Sequence, residues 1–418
     1  MMQRLKYIRI MVLMLGLINP AAAQSSLEMI GFGMAPSTPD VISRGMGGIV
    51  TVPGGASEWL YSAPSSWHRI RSTQLHAAME AAGSRLGDFA PFTRVGPQNF
   101  QFLIHVNRRT SYGIGIQPVT RVDMTVTDTD SVMLRSETLR YETNRSFEGG
   151  LSAFSIGFSR LIRPTVSLGV SLDILFGSLT QGDTLRLLDG GSWDDLFWNM
   201  ITRRRLKFNG QRLALSILAT VPPKSKGRLG INAVFPLTLN LVETQTYYTQ
   251  TYYGLLVLNT LRHDDVGLPA SVSVGYGLDT VRKHRLVVEA GFIQLLKAAK
   301  NDMIFGRHLE AARSLRLGWS RTPGGDEALL VQRLHYRMGF CRKDYYLPHL
   351  KNDPLTEFTI GAGISYQHPR FGHRVDFAFH IGRRDGLLPN VQSEDFISLS
   401  VGVTTAELWF MRPNKRWD

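Results

Sequence analysis

The sequence predicts an all-β protein, a transmembrane antiparallel β-barrel of about 14 strands. Three observations carry that expectation: a recurring period-two alternation, an export signal at the N-terminus, and connections that run alternately long and short. The alternation is plainest in "TIGAGISYQHPRFGHRVDFAFHIG" (359–382). Ile360, Ala362, Ile364 and Tyr366 alternate with Thr359, Gly361, Gly363 and Ser365, and Val375, Phe377, Phe379 and Ile381 with Asp376, Ala378, His380 and Gly382. A period of two marks a strand with one apolar and one polar face, and the intervening His-Pro-Arg-Phe-Gly-His reads as a tight turn, making a hairpin.

The N-terminus decides what the apolar face meets. Arg4, Lys6 and Arg9 precede an apolar run from Ile10 to Ile18 and then Ala21-Ala22-Ala23. That is a secretory signal, residues 1–23, cut before Gln24. A spanning anchor would need about 18 apolar residues, more than this run offers. No Cys follows the cleavage point, which argues against a lipid-anchored N-terminus. Cys341 is the single cysteine, so an intramolecular disulfide framework and cysteine-based zinc sites are excluded. Loss of the three signal cations takes the formal charge from +13 to +10. No basic helix or aromatic RNA-binding motif accompanies that charge, so nucleic acid is not an expected partner; anionic headgroups or acidic ligands are.

In chain order the alternation gives strands over 73–80, 99–107, 111–125, 150–161, 165–178, 208–222, 226–240, 268–280, 284–296, 312–321, 328–342, 355–367, 373–384 and 394–406. Phe100, Phe102, Ile104 and Val106 carry the second; Val166, Leu168, Val170, Leu172, Ile174 and Phe176 the fifth; Ile397, Leu399, Val401 and Val403 the last. The opposite faces are rich in Gly and Ser. Long connections at 81–98, 126–149, 179–207 and 241–267 alternate with short ones at 108–110, 162–164 and 223–225, the asymmetry of outer-membrane barrels. Lipid offers no hydrogen bonds to a sheet edge, so closure satisfies the ladders and the apolar face turns outward. The expected location is the outer membrane of a diderm bacterium, among outer-membrane lipids and lipopolysaccharide.

"SRGMGGIVTVPGGASEWLYSAPSSW" (43–67) resembles the N-terminal segment of FadL-like outer-membrane transporters, the long-chain fatty acid type, and of their PorV-type relatives. Arg44, Met46, Gly47 and Gly48 match the Met-Gly-Gly turn; Tyr61-Ser62-Ala63-Pro64 departs from the Asn-Pro-Ala box that follows it. "LPASVSVGYGLD" (268–279), "LVVEAGF" (286–292) and the ending "EDFISLSVGVTTAELWF" (394–410) are similar to the same family. The resemblance implies that residues 24–68 fold inward as a plug, with Met46, Gly47 and Gly48 in it, that 69–410 form the barrel, and that 411–418 are a periplasmic tail. The segment 27–68 is Gly-, Pro- and Ser-rich without sustained alternation, and Gly47-Gly48 and Gly54-Gly55 suit turns at positive φ.

No G-x-S-x-G elbow, H-E-x-x-H zinc motif, P-loop or G-x-G-x-x-G occurs, so no enzyme, metal or cofactor is expected. His105, His335 and His380 fall on inward faces, as members of a lumen hydrogen-bond network. Arg212, Arg285, Arg316, Arg333 and Arg337 share that face with Asp173, Glu289 and Asp376. Structural pairing is the first reading and a carboxylate-binding Arg the second.

Within "SWDDLFWNMITRRRLK" (192–207), Trp193, Leu196, Phe197, Met200 and Ile201 lie at helical spacing. Ser192 suits the helix start and Arg203, Arg204 and Arg205 its end, which makes an amphipathic helix. Tyr247, Tyr248, Tyr252 and Tyr253 cluster in the next outer connection. In FadL-like transporters these two loops form a ligand-capturing groove; the same groove here would suit an anionic amphiphile. The helix could equally pack on its own loops or lie in the lipopolysaccharide layer.

Gln117-Pro118 interrupts the third strand. Proline cannot donate to a ladder, so the strand bends, bulges or ends there. A kink in the third strand opens a side door in FadL-like transporters, which makes these two residues the lateral-gate candidates. The function that follows is passive uptake of hydrophobic or amphiphilic small molecules, with lateral release. Two alternatives stand beside it: a PorV-like accessory barrel with secretion-system proteins as partners, and a structural outer-membrane protein.

Overall fold

A computed structural model of the 418-residue chain describes residues 40–55, 58–86, 92–134, 137–188, 199–221, 227–249, 255–263, 269–280, 283–295, 311–323, 330–345, 355–368, 372–385 and 393–407. A short helix α1 (Val41–Gly45) and a 3₁₀ turn (Pro64–Arg69) precede the strands. These are β1 (Thr73–Leu86), β2 (Phe92–Asn107), β3 (Thr110–Leu134), β4 (Glu137–Arg163), β5 (Val166–Leu187), β6 (Asn199–Val221), β7 (Gly227–Thr249) and β8 (Leu255–His263). They continue as β9 (Pro269–Asp279), β10 (His284–Leu295), β11 (Ala311–Arg321), β12 (Leu334–Tyr345), β13 (Leu355–Gln367), β14 (Arg374–Arg384) and β15 (Glu394–Glu407). Consecutive strands pair antiparallel except β8 with β9; β7 pairs with β9 instead and β1 with β15, so fourteen strands close into a barrel. The extra strand, β8, pairs only with the distal part of β7, Leu241–Thr249.

The wall is built inside out. On β14, Phe377, Phe379 and Ile381 are 43–46% exposed, whereas Asp376, Ala378 and His380 between them are buried. On β13, Ile360 and Ile364 point outward and Thr359 and Ser365 inward. The apolar face is therefore the outer one, as a chain solvated by lipid requires.

The strands outrun the sequence expectation at the end away from the termini. Much of the loops expected at 81–98 and 126–149 is ladder: β1 and β2 run to Leu86 and from Phe92, and β3 and β4 leave only 135–136 between them. There Thr- and Asp-rich "TVTDTDS" pairs with "RYETNRS". Backbone pairing needs no apolar face, so beyond the lipid belt the alternation that betrays a strand is missing. The amphipathic helix expected over 192–207 is likewise corrected: from Asn199 onward that stretch is β6, in register with both β5 and β7. A strand cannot display Met200, Ile201, Arg203 and Arg204 on a helical stripe.

Candidate functional site

The lumen begins with the segment 40–70, whose side chains are mostly buried against the inner wall. Its fastenings go all round the barrel. Arg44 pairs with Glu80 on β1, its Nη2 lying 3.0 Å from Oε2. The backbone N–H groups of Val50 and Thr51 each donate to Glu289 Oε2 on β10 at 2.9 Å. Trp59 Nε1 donates to Gln74 Oε1 (2.7 Å), Tyr61 Oη to Ser155 Oγ (2.9 Å), and Ser65 N to Ser216 Oγ (2.7 Å). Glu58 is held between Arg337 and His335, with His335 Nδ1 at 3.2 Å. Burial alone would raise the Glu58 carboxyl, but those partners hold it well below the usual range. Burial pushes Asp40 up to about 6 even though its carboxylate accepts the Tyr61 N–H at 2.8 Å.

The glycine-rich inner faces explain how so much chain fits. A Cβ on Gly113 or Gly157 would stand 2.6 Å from Trp67 Cζ3, and one on Gly339 2.0 Å from the Met46 carbonyl carbon. Gly47 and Gly48 make their turn at φ +71° and +85°; Gly54 and Gly55 are not among the positive-φ residues, contrary to expectation. The expected charge pairing is present. Arg212 Nε lies 2.6 Å from Asp173 Oδ2, Arg374 Nε 2.8 Å from Asp376 Oδ2, Arg316 pairs with Glu289, and Arg285 with Asp279.

Farther from the termini, the inner wall of β3–β7 changes character. Val122, Met124, Phe147, Leu151, Leu175, Leu179, Leu206, Phe208, Leu239 and Leu241 form one buried apolar cluster. The sequence reading missed it. Val122, Met124, Leu151, Leu175, Phe208 and Leu239 fall inside expected strands, whereas Phe147, Leu179, Leu206 and Leu241 fall in stretches assigned to loops, so the series was cut at the strand ends. At its outer rim Arg204 Nε pairs with Glu243 Oε1 at 2.5 Å, Gln245 Nε2 donates to Glu243 (2.6 Å) and Tyr247 Oη to Gln245 Oε1 (2.9 Å). Arg204 is thus already neutralised and Arg203 is exposed. Trp193, Leu196, Phe197, Tyr252 and Tyr253 lie outside the described residues, as do the side chains of Met200 and Tyr248.

Below the cluster the wall is creased. The register shifts at Pro118/Thr120 between β3 and β4 and at Gln211/Arg212 between β6 and β7. Between these points Gly149, Gly150 and Gly177 adopt φ of +112°, +141° and +151°. A Cβ on Gly150 or Gly177 would meet a neighbouring carbonyl oxygen at 2.3 or 2.2 Å, so the crease requires glycine.

At the edge of the crease the β2–β3 ladder stops. Pairing covers only Phe100–Asn107 with Thr110–Ile116. Beyond it, Phe92–Asn99 stay paired to β1 and residues 117–134 to β4, but not to each other. Proline stands on both sides of the break, Pro97 and Pro118, and neither has an N–H to give. The facing pair was not foreseen; only Pro118 was. A cavity of about 380 Å³ occupies the break, lined by inward Asn99 and Gln117, outward Phe100 and Ile116, and both prolines. Its lining runs from β2 across β3 to Gly149, Gly150 and Ser152 of β4 and Ser178 of β5. Arg121 reaches across: its Nη1 sits 1.7 Å from where a Gly96 Cβ would stand. Both amide atoms of buried Gln101, and Gln117 Oε1, have no hydrogen-bond partner among the described residues. Among the described residues no group of three His, Cys, Asp or Glu could hold a metal ion.

This architecture has known counterparts. The chain is similar to the CymD monoaromatic hydrocarbon channel (TM-score 0.61, 15% identity, covering 92% of this chain and 99% of that one). It is similar to the Pseudomonas putida toluene transporter TodX (0.56, 13%, 90% and 99%) and to a Pseudomonas aeruginosa FadL homologue (0.57, 12%, 90% and 99%). At such identities the likeness establishes the fold, a FadL-type outer-membrane barrel. No curated protein sequence matches. The sequence itself fits the family model described as BamG over residues 1–415, and on that match the chain belongs to the BamG family.

Proposed function

We propose that this protein sits in the outer membrane and passes hydrophobic or amphiphilic small molecules inward through the apolar chamber and out sideways between β2 and β3. The observation that carries the reading is the unpaired stretch flanked by Pro97 and Pro118, beside an interior blocked along its axis by a segment fastened on all sides. An apolar solute gains from the chamber's buried surface and then meets bilayer rather than water on leaving. The unpartnered Gln101 amide and Gln117 Oε1 suit a solute with a hydrogen-bonding head. CymD, a monoaromatic hydrocarbon channel, and TodX, a toluene transporter, have the same fold, which supports the solute class. Capture at the outer end by Trp193, Leu196, Phe197, Tyr252 and Tyr253, with Tyr247 on the rim, belongs to the same proposal, with Gln117 and Pro118 as the lateral gate and Met46, Gly47 and Gly48 in the plug.

The test restores the missing donors. Pro97→Ala with Pro118→Ala should slow uptake of labelled oleate and toluene by about tenfold, as expected for a gating step made limiting. The amount of heat-modifiable folded barrel should not fall. Unchanged uptake of both probes, with a protein partner retained on mild extraction, would overturn transport in favour of the accessory-barrel alternative.

A further inference from the structure

The outward face of β11–β15 is bulky except at one point. Ala362 stands between Met338 on β12 and Phe379 on β14, directly opposite both in register. Met338, Phe377, Phe379 and Ile364 are all 43–55% exposed around it. The short side chain leaves a notch of about 460 Å³, walled further by Trp319 and Leu399. It lies in the lipid-facing belt, where an apolar hollow is filled by hydrocarbon.

The notch has a charged end. Arg321 borders it, one pleat nearer the short-connection end and two strands, about 10 Å, to the side. Its guanidinium lies 5.9 Å from the Tyr336 ring centroid. Several lumen arginines are paired with carboxylates, but Arg321 faces outward and no ion pair engages it among the described residues. That end of the barrel carries both described termini of the sheet, Thr73 and Glu407, and the tight connections; it faces the periplasm. An outward cation at that depth, beside an apolar notch, complements a phosphate attached to acyl chains.

We propose that the Ala362 notch binds one glycerophospholipid of the periplasmic leaflet, an acyl chain over Ala362 and the phosphate on Arg321. The site is independent of the transported solute, since the notch opens on the outer surface. A test extracts the barrel from outer membranes in mild detergent and counts retained lipid by native mass spectrometry. Wild type should hold one glycerophospholipid, and Ala362→Phe or Arg321→Glu should each lower the retained fraction about fivefold. Both changes point outward, so heat-modifiable mobility should persist and report folding. Arg160→Glu, an exposed cation at the same end of β4 with no part in the notch, should retain lipid as wild type does. Equal retention in Ala362→Phe, equal loss in Arg160→Glu, or lipid A as the retained mass would overturn the proposal.

Discussion

The two halves of the barrel obey different rules. From β9 to β15 the strands are 11 to 14 residues long and the ladders run from β9 to β15 without a register shift. From β3 to β7 they are 22 to 27 residues long, and the shifts cluster among β1–β7. The regular half is a wall of about membrane height whose inner glycines and arginines pack on residues 44–58 of the N-terminal segment. The irregular half is taller, creased and lined by apolar side chains. Bulges and unpaired edges cost ladder hydrogen bonds, and their concentration on one side agrees with the exit proposed there.

If that division is right, substitutions should fail differently on the two sides. The largest effect is expected at Gly339→Val on the regular half, where the added carbon atoms meet plug backbone rather than a side chain. Backbone yields less readily than a side-chain end, so the loss should reach about 3 kcal/mol or more, the upper end of overpacking costs. Cells carrying the variant should either lose heat-modifiable barrel or become permeable to large antibiotics. Wild-type-like exclusion with normal folding would break the assignment of plug to wall. A smaller effect is expected at the crease. Gly177→Ala forces a side chain into φ +151° and against the Gly150 carbonyl, at about 1–3 kcal/mol. Its counterpart on the regular half, Gly291→Ala, meets the ends of movable side chains, the Ser314 and Ser273 hydroxyls at 2.5 and 3.1 Å, and should cost less, about 0.5 kcal/mol. Denaturant midpoints of the two purified barrels make the comparison; equal shifts would remove the distinction between halves.

Legibility in the sequence followed the same division. The regular half could be read because lipid on one side and plug on the other impose strict alternation, as in Phe377, Phe379 and Ile381 against Asp376 and His380. The pairing of inward arginines with carboxylates was legible for the same reason: a charge facing the lumen needs a partner. The upper β3–β7 wall was not legible. Its outer face meets water, so Thr, Asp and Arg stand where lipid would demand apolar residues, and strand looked like loop or helix. Arg203, Arg204 and Arg205 resembled a helix end because charge alone does not distinguish 3.6 from 2. Pro118 announced a break, but the facing position of Pro97 depends on register, which no local pattern contains.

The proposed side exit requires the wall to be open between β2 and β3. Asn99 and Gln117 are the inward residues one step beyond the last ladder pair, Phe100 with Ile116. Asn99→Cys with Gln117→Cys, in a Cys341→Ser background, would allow the two strands to be joined and released on one purified, reconstituted barrel. Oxidation should reduce transfer of oleate and toluene by about tenfold or more, and dithiothreitol should restore it, as expected of a reversible gate. Equal transfer before and after reduction, with the disulfide shown to have formed by mass spectrometry, would contradict the side exit.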